Sequence, residues 1–166
     1  MKDTHLQDLV KRLSDRDGMA RERARHDLVL TGPPAVPLLL ELLEKGDKGQ
    51  RWEAAEALAV IADARSISAL IGLLRDREWD LRWIAAIGLV KIGPQCLDAV
   101  LQELVDAPDS TDLRHSVHHI LNEVVRTRPN FKERLTPVME ALGESYPAEV
   151  TVMRAQQALL QGGSAP

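Results

Sequence analysis

At 166 residues the chain has room for one ordinary domain or one short stack of repeats. Hydrophobic residues reach 45% but aromatics only 3%, so the core must be built from Leu, Ala, Val and Ile, as closely packed helices allow. A formal charge of −4 disfavours nucleic acid as the main partner, and the lone Cys96 excludes both an intrachain disulfide framework and a Cys-rich zinc site.

The N-terminal stretch MKDTHLQDLV has no apolar signal region, and no segment approaches 18 uninterrupted apolar residues. The expectation is a cytoplasmic protein without a membrane partner. From Leu6 onward, four apolar residues at i, i+3, i+4 and i+7 make one helical stripe, Leu6-Leu9-Val10-Leu13. The same stripe returns at Val36-Leu39-Leu40-Leu43, Ile67-Leu70-Ile71-Leu74, Leu97-Val100-Leu101-Leu104 and Leu135-Val138-Met139-Leu142. Five copies in order make a tandem repeat.

Between these stripes lies a second pattern. Arg21, Arg51, Arg82 and Arg114 are each followed seven positions later by a leucine, at Leu28, Leu58, Leu89 and Leu121. The third position after each arginine is small or apolar: Ala24, Ala54, Ala85 and Val117. Small side chains there let helix axes approach closely. Gly32-Pro33-Pro34 and Gly93-Pro94 end one helix and start the next. Asp15, Asp47, Asp76 and Asp109 fall between first and second helices, where a cap or tight turn is needed.

The helix pairs predicted in chain order are 6–13 with 17–31, 35–45 with 48–61, 65–75 with 79–92, 95–105 with 111–127, and 130–143 with 148–161. The expected fold is therefore all-α, an α-solenoid of about five stacked helical hairpins over residues 1–161, with units near 3–31, 33–62, 64–92, 94–127 and 129–161. Residues 162–166, of Gly, Ser, Ala and Pro, are expected to form a flexible tail. Cys96 falls on an apolar stretch and is expected to be an inert core residue.

The units DREWDLRWIAAIGLVKIG (76–93) and GQRWEAAEALAVIA (49–62) resemble HEAT repeats, of the short kind also found in phycobilin lyase subunits. The resemblance fades in the fifth unit, where Val152 takes the arginine register, as a capping repeat would. It implies a ladder of Asp and Arg between repeats, here Asp15, Arg21, Arg51, Asp76, Arg82 and Arg114. It also implies a concave face lined by second helices and a role as scaffold or adaptor for a protein or peptide partner. The fold alone does not exclude enzymes.

On each second helix, offsets +1, +2 and +5 from the arginine point away from the predicted core side at 100° per residue. They select Trp52, Glu53 and Glu56; Trp83, Ile84 and Ile87; and His115, with His119 one turn further. Trp79 lies one turn before Trp83. The expectation is an exposed strip for a partner, or for a second copy of the chain, in which all three tryptophans converge. The alternative is tryptophans packed on interrepeat seams.

Three chemical readings compete. An iron hydroxylase of HEAT type needs His-Glu pairs, and the corresponding pairs here read Trp52-Glu53, Trp83-Ile84 and His115-Ser116, so neither metal nor cofactor is expected. A HEAT-like DNA glycosylase needs a basic groove, and Glu53 and Glu56 oppose it. A bilin-lyase-like or chaperone-like subunit remains open, without a residue signature of its own.

Overall fold

Three residues with positive φ set the spacing of the array: Gly32 at 69°, Ala62 at 53° and Gly93 at 81°. Each stands at the end of a helix and leads into a short 3-10 segment, at Pro33–Ala35, Ala64–Ser66 and Gly93–Cys96. Gly32 and Gly93 combine positive φ with ψ of −137° and −146°, a region essentially reserved for glycine. The sequence punctuation thus becomes a repeated left-handed turn between units.

The computed structural model describes residues 2–143 and 146–162, apart from the side chains of residues 2 and 3. Its five hairpins pair α1 (Lys2–Arg12) with α2 (Gly18–Thr31), α3 (Val36–Lys45) with α4 (Lys48–Ile61), and α5 (Ile67–Leu73) with α6 (Trp79–Ile92). They continue with α7 (Leu97–Asp106) and α8 (Thr111–Thr127), then α9 (Lys132–Gly143) and α10 (Ala148–Gly162). The described residues contain no strand, so the all-α solenoid expected from the periodicity is what forms. Of the expected tail only Gly162 is described, as the end of α10; 163–166 lie outside the described residues.

Helix starts use the predicted residue types, with a shift in position. Asp47 caps α4 in a capping box with Gln50. Asp17, not Asp15, caps α2, and Ser110, not Asp109, caps α8. Asp15 and Asp76 instead each accept a hydrogen bond from the backbone N–H two residues on, at Asp17 and Glu78, and so shape the turn.

The apolar stripes meet in one continuous core. Leu28, Leu58, Leu89 and Leu121, each seven residues after its arginine, are completely buried. The second helices α2, α4, α6 and α8 pack successively side by side in one layer. At Gly88 a Cβ would come within 3.0 Å of the Ala59 backbone and of Leu70, so α6 approaches α4 too closely for a side chain to be added there without a shift. That closeness enlarges the buried arc of a central helix. Ile84 is only 4% exposed and Glu53 5%, against the expectation that both face a partner. A helix flanked by two neighbours as well as its own hairpin mate buries about three sides, and a wheel drawn for one hairpin counts only one.

The apolar stretch Trp79–Asp106 has the composition of a membrane span, with 61% of its most apolar window buried. The positive φ of Gly93 divides it into α6 and α7, of 14 and 10 residues, each short of the ~20 that a membrane-crossing helix needs.

The fifth hairpin departs from the pattern. Continuation would place α9 beside α7 and α10 beside α8. Instead α9 packs on α8, and α10 packs on α7 as well as on α9. The first helix has taken the second-helix layer, which corrects the expectation that second helices line that face throughout. The turn before it also differs: α8 runs for 17 residues against 14 in α2, α4 and α6, and ends at Arg128 with φ −139° rather than at a left-handed residue. Pro137 then deprives α9 of one backbone bond within its own ladder. Arginines hold this inverted hairpin. Arg134 donates to the Ala158 carbonyl at 2.7 Å and pairs with Asp98 of α7. Arg114 donates to Thr151 Oγ1 at 2.9 Å and to the Ala141 carbonyl at 3.2 Å.

Candidate functional site

The arginine ladder exists, but its pairs run forward from one unit to the next. Arg21 Nε donates to Glu53 Oε1 at 3.1 Å, Arg51 pairs with Asp76, and Arg82 Nη2 lies 3.2 Å from Asp112 Oδ1. Arg114 reaches Thr151 in the fifth unit, as described above. Within their own turns Arg21 and Arg82 donate to the backbone carbonyls of Asp15 and Asp76, each at 2.8 Å, not to the carboxylates. The reason is geometric: each carboxylate is already turned inward on a backbone N–H. Asp76 and Arg82 thus both pair across units, with Arg51 and Asp112, while Arg21 and Arg82 also clamp the backbone of their own turns. Burial alone would raise the pKa of Asp76, but the Glu78 backbone N–H and the Arg51 guanidinium outweigh it and hold the carboxyl below its ordinary value.

Glu53 shows why one offset misled. Its carboxylate lies between Arg21 and Arg25, with its side chain almost wholly enclosed. An acidic group buried at an interrepeat seam needs such partners. It is a seam residue rather than a contact for a partner.

The tryptophans separate into two groups. Trp79 and Trp83, 62% and 43% exposed, stack with centroids 5.9 Å apart and planes 7° from parallel. His119 packs against Trp83 at 4.9 Å, carrying the aromatic surface across to α8. Together with His115, Ala86 and Asp112 they line a cleft of about 230 Å³, room for one side chain. Trp52 is half-buried and lies apart from this stack, with the Arg25 guanidinium 5.2 Å from its ring centroid. Convergence of all three tryptophans is therefore replaced by two neighbouring subsites. Glu56, Ile87 and His119 are half-buried and His115 is exposed.

Trp52 instead borders a second cleft of about 430 Å³, walled by the α1–α2 and α3–α4 turns and the start of α6. Asp15, Arg21, Asp47, Lys48, Glu78 and Asp80 supply its charge. The sequence reading missed Asp80 and Asp112, which border the two clefts. Both sit at offset −2 from their arginines, seven residues before offset +5 and hence on the same helix face. Extending the offset rule back by two turns would have found them.

Among the described residues no cluster of three His, Cys, Asp or Glu is arranged to hold a metal ion. Glu123, which continues the His115–His119 row, is engaged by Arg126, whose hydrogen bond keeps the carboxyl below its usual pKa. His118 is shifted down by burial and by the neighbouring His115 and His119. Cys96 is fully buried, and desolvation pushes its thiol up to about 12, so it is inert at neutral pH, as expected.

Comparison with known proteins fits this architecture. A search of curated protein sequences finds no relative. Among solved structures, the chain is similar to the complex of CpcE and CpcF of phycocyanin lyase from Nostoc sp. PCC7120, at 23% identity and a TM-score of 0.65. That likeness spans 93% of this chain and 98% of the other, and concerns the fold. The profile of HEAT repeats matches residues 6–90 and again 36–122, covering the four regular hairpins and stopping before the inverted one. The chain belongs to the HEAT-repeat family.

Proposed function

We propose that the chain is a non-catalytic protein-binding module, an adaptor or scaffold of the cytoplasm, whose partner docks on the second-helix layer across α4, α6 and α8. The observation that carries this reading is the parallel Trp79–Trp83 pair, which remains exposed in a protein with only three tryptophans. Exposed, pre-stacked indoles offer a large rigid contact area that loses little entropy on binding, and Trp is enriched among the residues that dominate interface energies. Trp52, Glu56, Ile87 and His115 flank this anchor and would tune the choice of partner. Glu53 and Ile84, being buried, are left out of the contact surface. The buried free thiol suits a reducing compartment.

The test is a comparison of the wild type with Trp79→Ala/Trp83→Ala in affinity capture. The variant is expected to keep its helical circular dichroism and its melting temperature while losing the captured partner. Undiminished capture by a folded variant would overturn the reading. Sedimentation of the same two proteins distinguishes a second copy of the chain as partner, since a dimer through this strip would dissociate in the variant.

A second reading is favoured by the structural likeness over 93% of the chain to the CpcE–CpcF complex. In it, the protein would be one subunit of a two-chain assembly acting on a bilin. Co-expression with a bilin donor, a phycobiliprotein acceptor and a candidate partner subunit tests it through the appearance of covalently coloured acceptor.

A further inference from the structure

The cleft beside Trp52 carries an uncompensated charge. Of the five carboxylates lining it, Glu53 is neutralised by Arg21 and Arg25, and Glu78 by Lys48 at 2.6 Å. Asp15 and Asp47 have no ion-pair partner among the described residues, and Asp80, though within electrostatic reach of Lys48, makes no ion pair with it. Asp15 and Asp47 each commit one oxygen, Oδ1, to a backbone N–H, at Asp17 and Gln50 respectively, which fixes the carboxylates in place. Their second oxygens make no hydrogen bond among the described residues.

Trp52 adds a feature that the charges alone lack. Its ring already accepts a guanidinium on the side toward Arg25. Arg25 lies outside the lining of the cleft, whereas Trp52 borders it while also packing on the core. An aromatic residue beside the two fixed carboxylates of Asp15 and Asp47, with Asp80 nearby, around about 430 Å³ is complementary to a planar cation. A lysine ammonium would satisfy the charge but not the plane.

We infer that the partner presents an arginine side chain to this cleft, stacked on Trp52 and facing Asp15, Asp47 and Asp80, while an apolar residue of the same segment covers Trp79 and Trp83. This rests on the protein-binding reading above and specifies the chemistry of the partner. Trp52 and Trp83 hold the same register on α4 and α6, adjacent helices in close contact at Gly88. Such axes lie about 8–10 Å apart, which a segment in polyproline-II conformation covers in about three residues at about 3.1 Å each. Its three-residue turn brings side chains i and i+3 to one face. The expected signature is an arginine and a large apolar residue separated by two others.

Two tetrapeptide probes, acetyl-Leu-Ala-Ala-Arg-amide and acetyl-Arg-Ala-Ala-Leu-amide, test this, each beside a control with citrulline, the neutral isostere, in place of arginine. Binding is read from the indole N–H resonances, assigned with Trp52→Phe and Trp83→Phe. At least one arginine peptide is expected to shift the Trp52 resonance and to bind about tenfold tighter than its citrulline control, with the margin shrinking in high salt. Asp47→Asn/Asp80→Asn should abolish the margin without loss of fold, because Asn caps α4 as well as Asp does. Equal affinity of arginine and citrulline peptides, a margin indifferent to the double substitution, or no binding by either arginine peptide would each overturn the inference. Loss of the natural partner in Trp79→Ala/Trp83→Ala would still uphold the broader reading, so the two fail separately.

Discussion

The second and third hairpins and the fifth are built from the same apolar stripe, yet they join their neighbours in opposite ways. Between α4 and α6 the contact is made by what is missing: Ala54, Ala55, Ala57, Ala85, Ala86 and Gly88 are all buried, and the backbones nearly touch. Around the fifth hairpin, long polar side chains hold the contact instead, with Arg134 and Arg114 reaching across to carbonyls and to Asp98 and Thr151. Small residues let a hairpin repeat the placement of the one before it. Where they run out, and where Arg128 replaces the left-handed turn, the hairpin settles in the other orientation and closes the array.

The strongest way to break this contrast is Gly88→Val. Its side chain would collide with the Ala59 backbone, which cannot swing away as a flexible side chain can. A loss of about 3 kcal/mol is expected, seen as a fall of several degrees or more in the thermal midpoint, because overpacking forces the two helices apart. In the fifth hairpin Gly162 is packed as tightly, but against the Arg134 guanidinium and the Asp98 carboxylate, ends of flexible side chains that can move aside. A substitution there should act locally.

Arg134→Met tests that locality. It keeps the apolar stem but removes the donors to Ala158 and Asp98. About 1 kcal/mol is expected, Arg134 being largely enclosed and Asp98 largely exposed, with faster amide hydrogen exchange confined to α9 and α10. Uniform acceleration through α2, α4 and α6 would show that the inverted hairpin is not a separate cooperative unit.

The smallest effect concerns acid. His118 lies at the α8–α9 junction, near Gly143, and its folded pKa is below the ordinary value because burial and the adjacent imidazoles disfavour the cation. The unfolded chain therefore binds a proton more readily than the folded one. The associated stability is present above the unfolded pKa, near 6.5, and is lost as pH falls through the lower folded value. His118→Gln should reduce the drop in melting temperature between pH 7 and pH 5, by on the order of 2 °C. An unchanged drop would assign the acid sensitivity to carboxylates such as Asp76, whose contribution is lost only at lower pH.

Much of the candidate site was legible in the sequence, and the failures share one cause. Trp79, Trp83, His115 and His119 stand together on the second-helix layer as the offsets implied. Glu53 and Ile84 do not, because the helical wheel referred to one hairpin and the neighbouring units bury a further side of α4 and α6. Trp52 parted from the other indoles because Arg25, from the preceding unit, lies over its ring. None of these facts belongs to a single helix.

Periodicity and punctuation alone determined the helices, their order, the length of the unit and the leucines of the core, because each follows from the 3.6-residue turn and from local backbone preference. Only the tertiary structure decided which units touch on which side, that the arginine pairs run forward along the array, and that the last hairpin turns over. Those outcomes depend on how closely separate helices can approach, which is a property of pairs of surfaces and is written in neither sequence segment by itself.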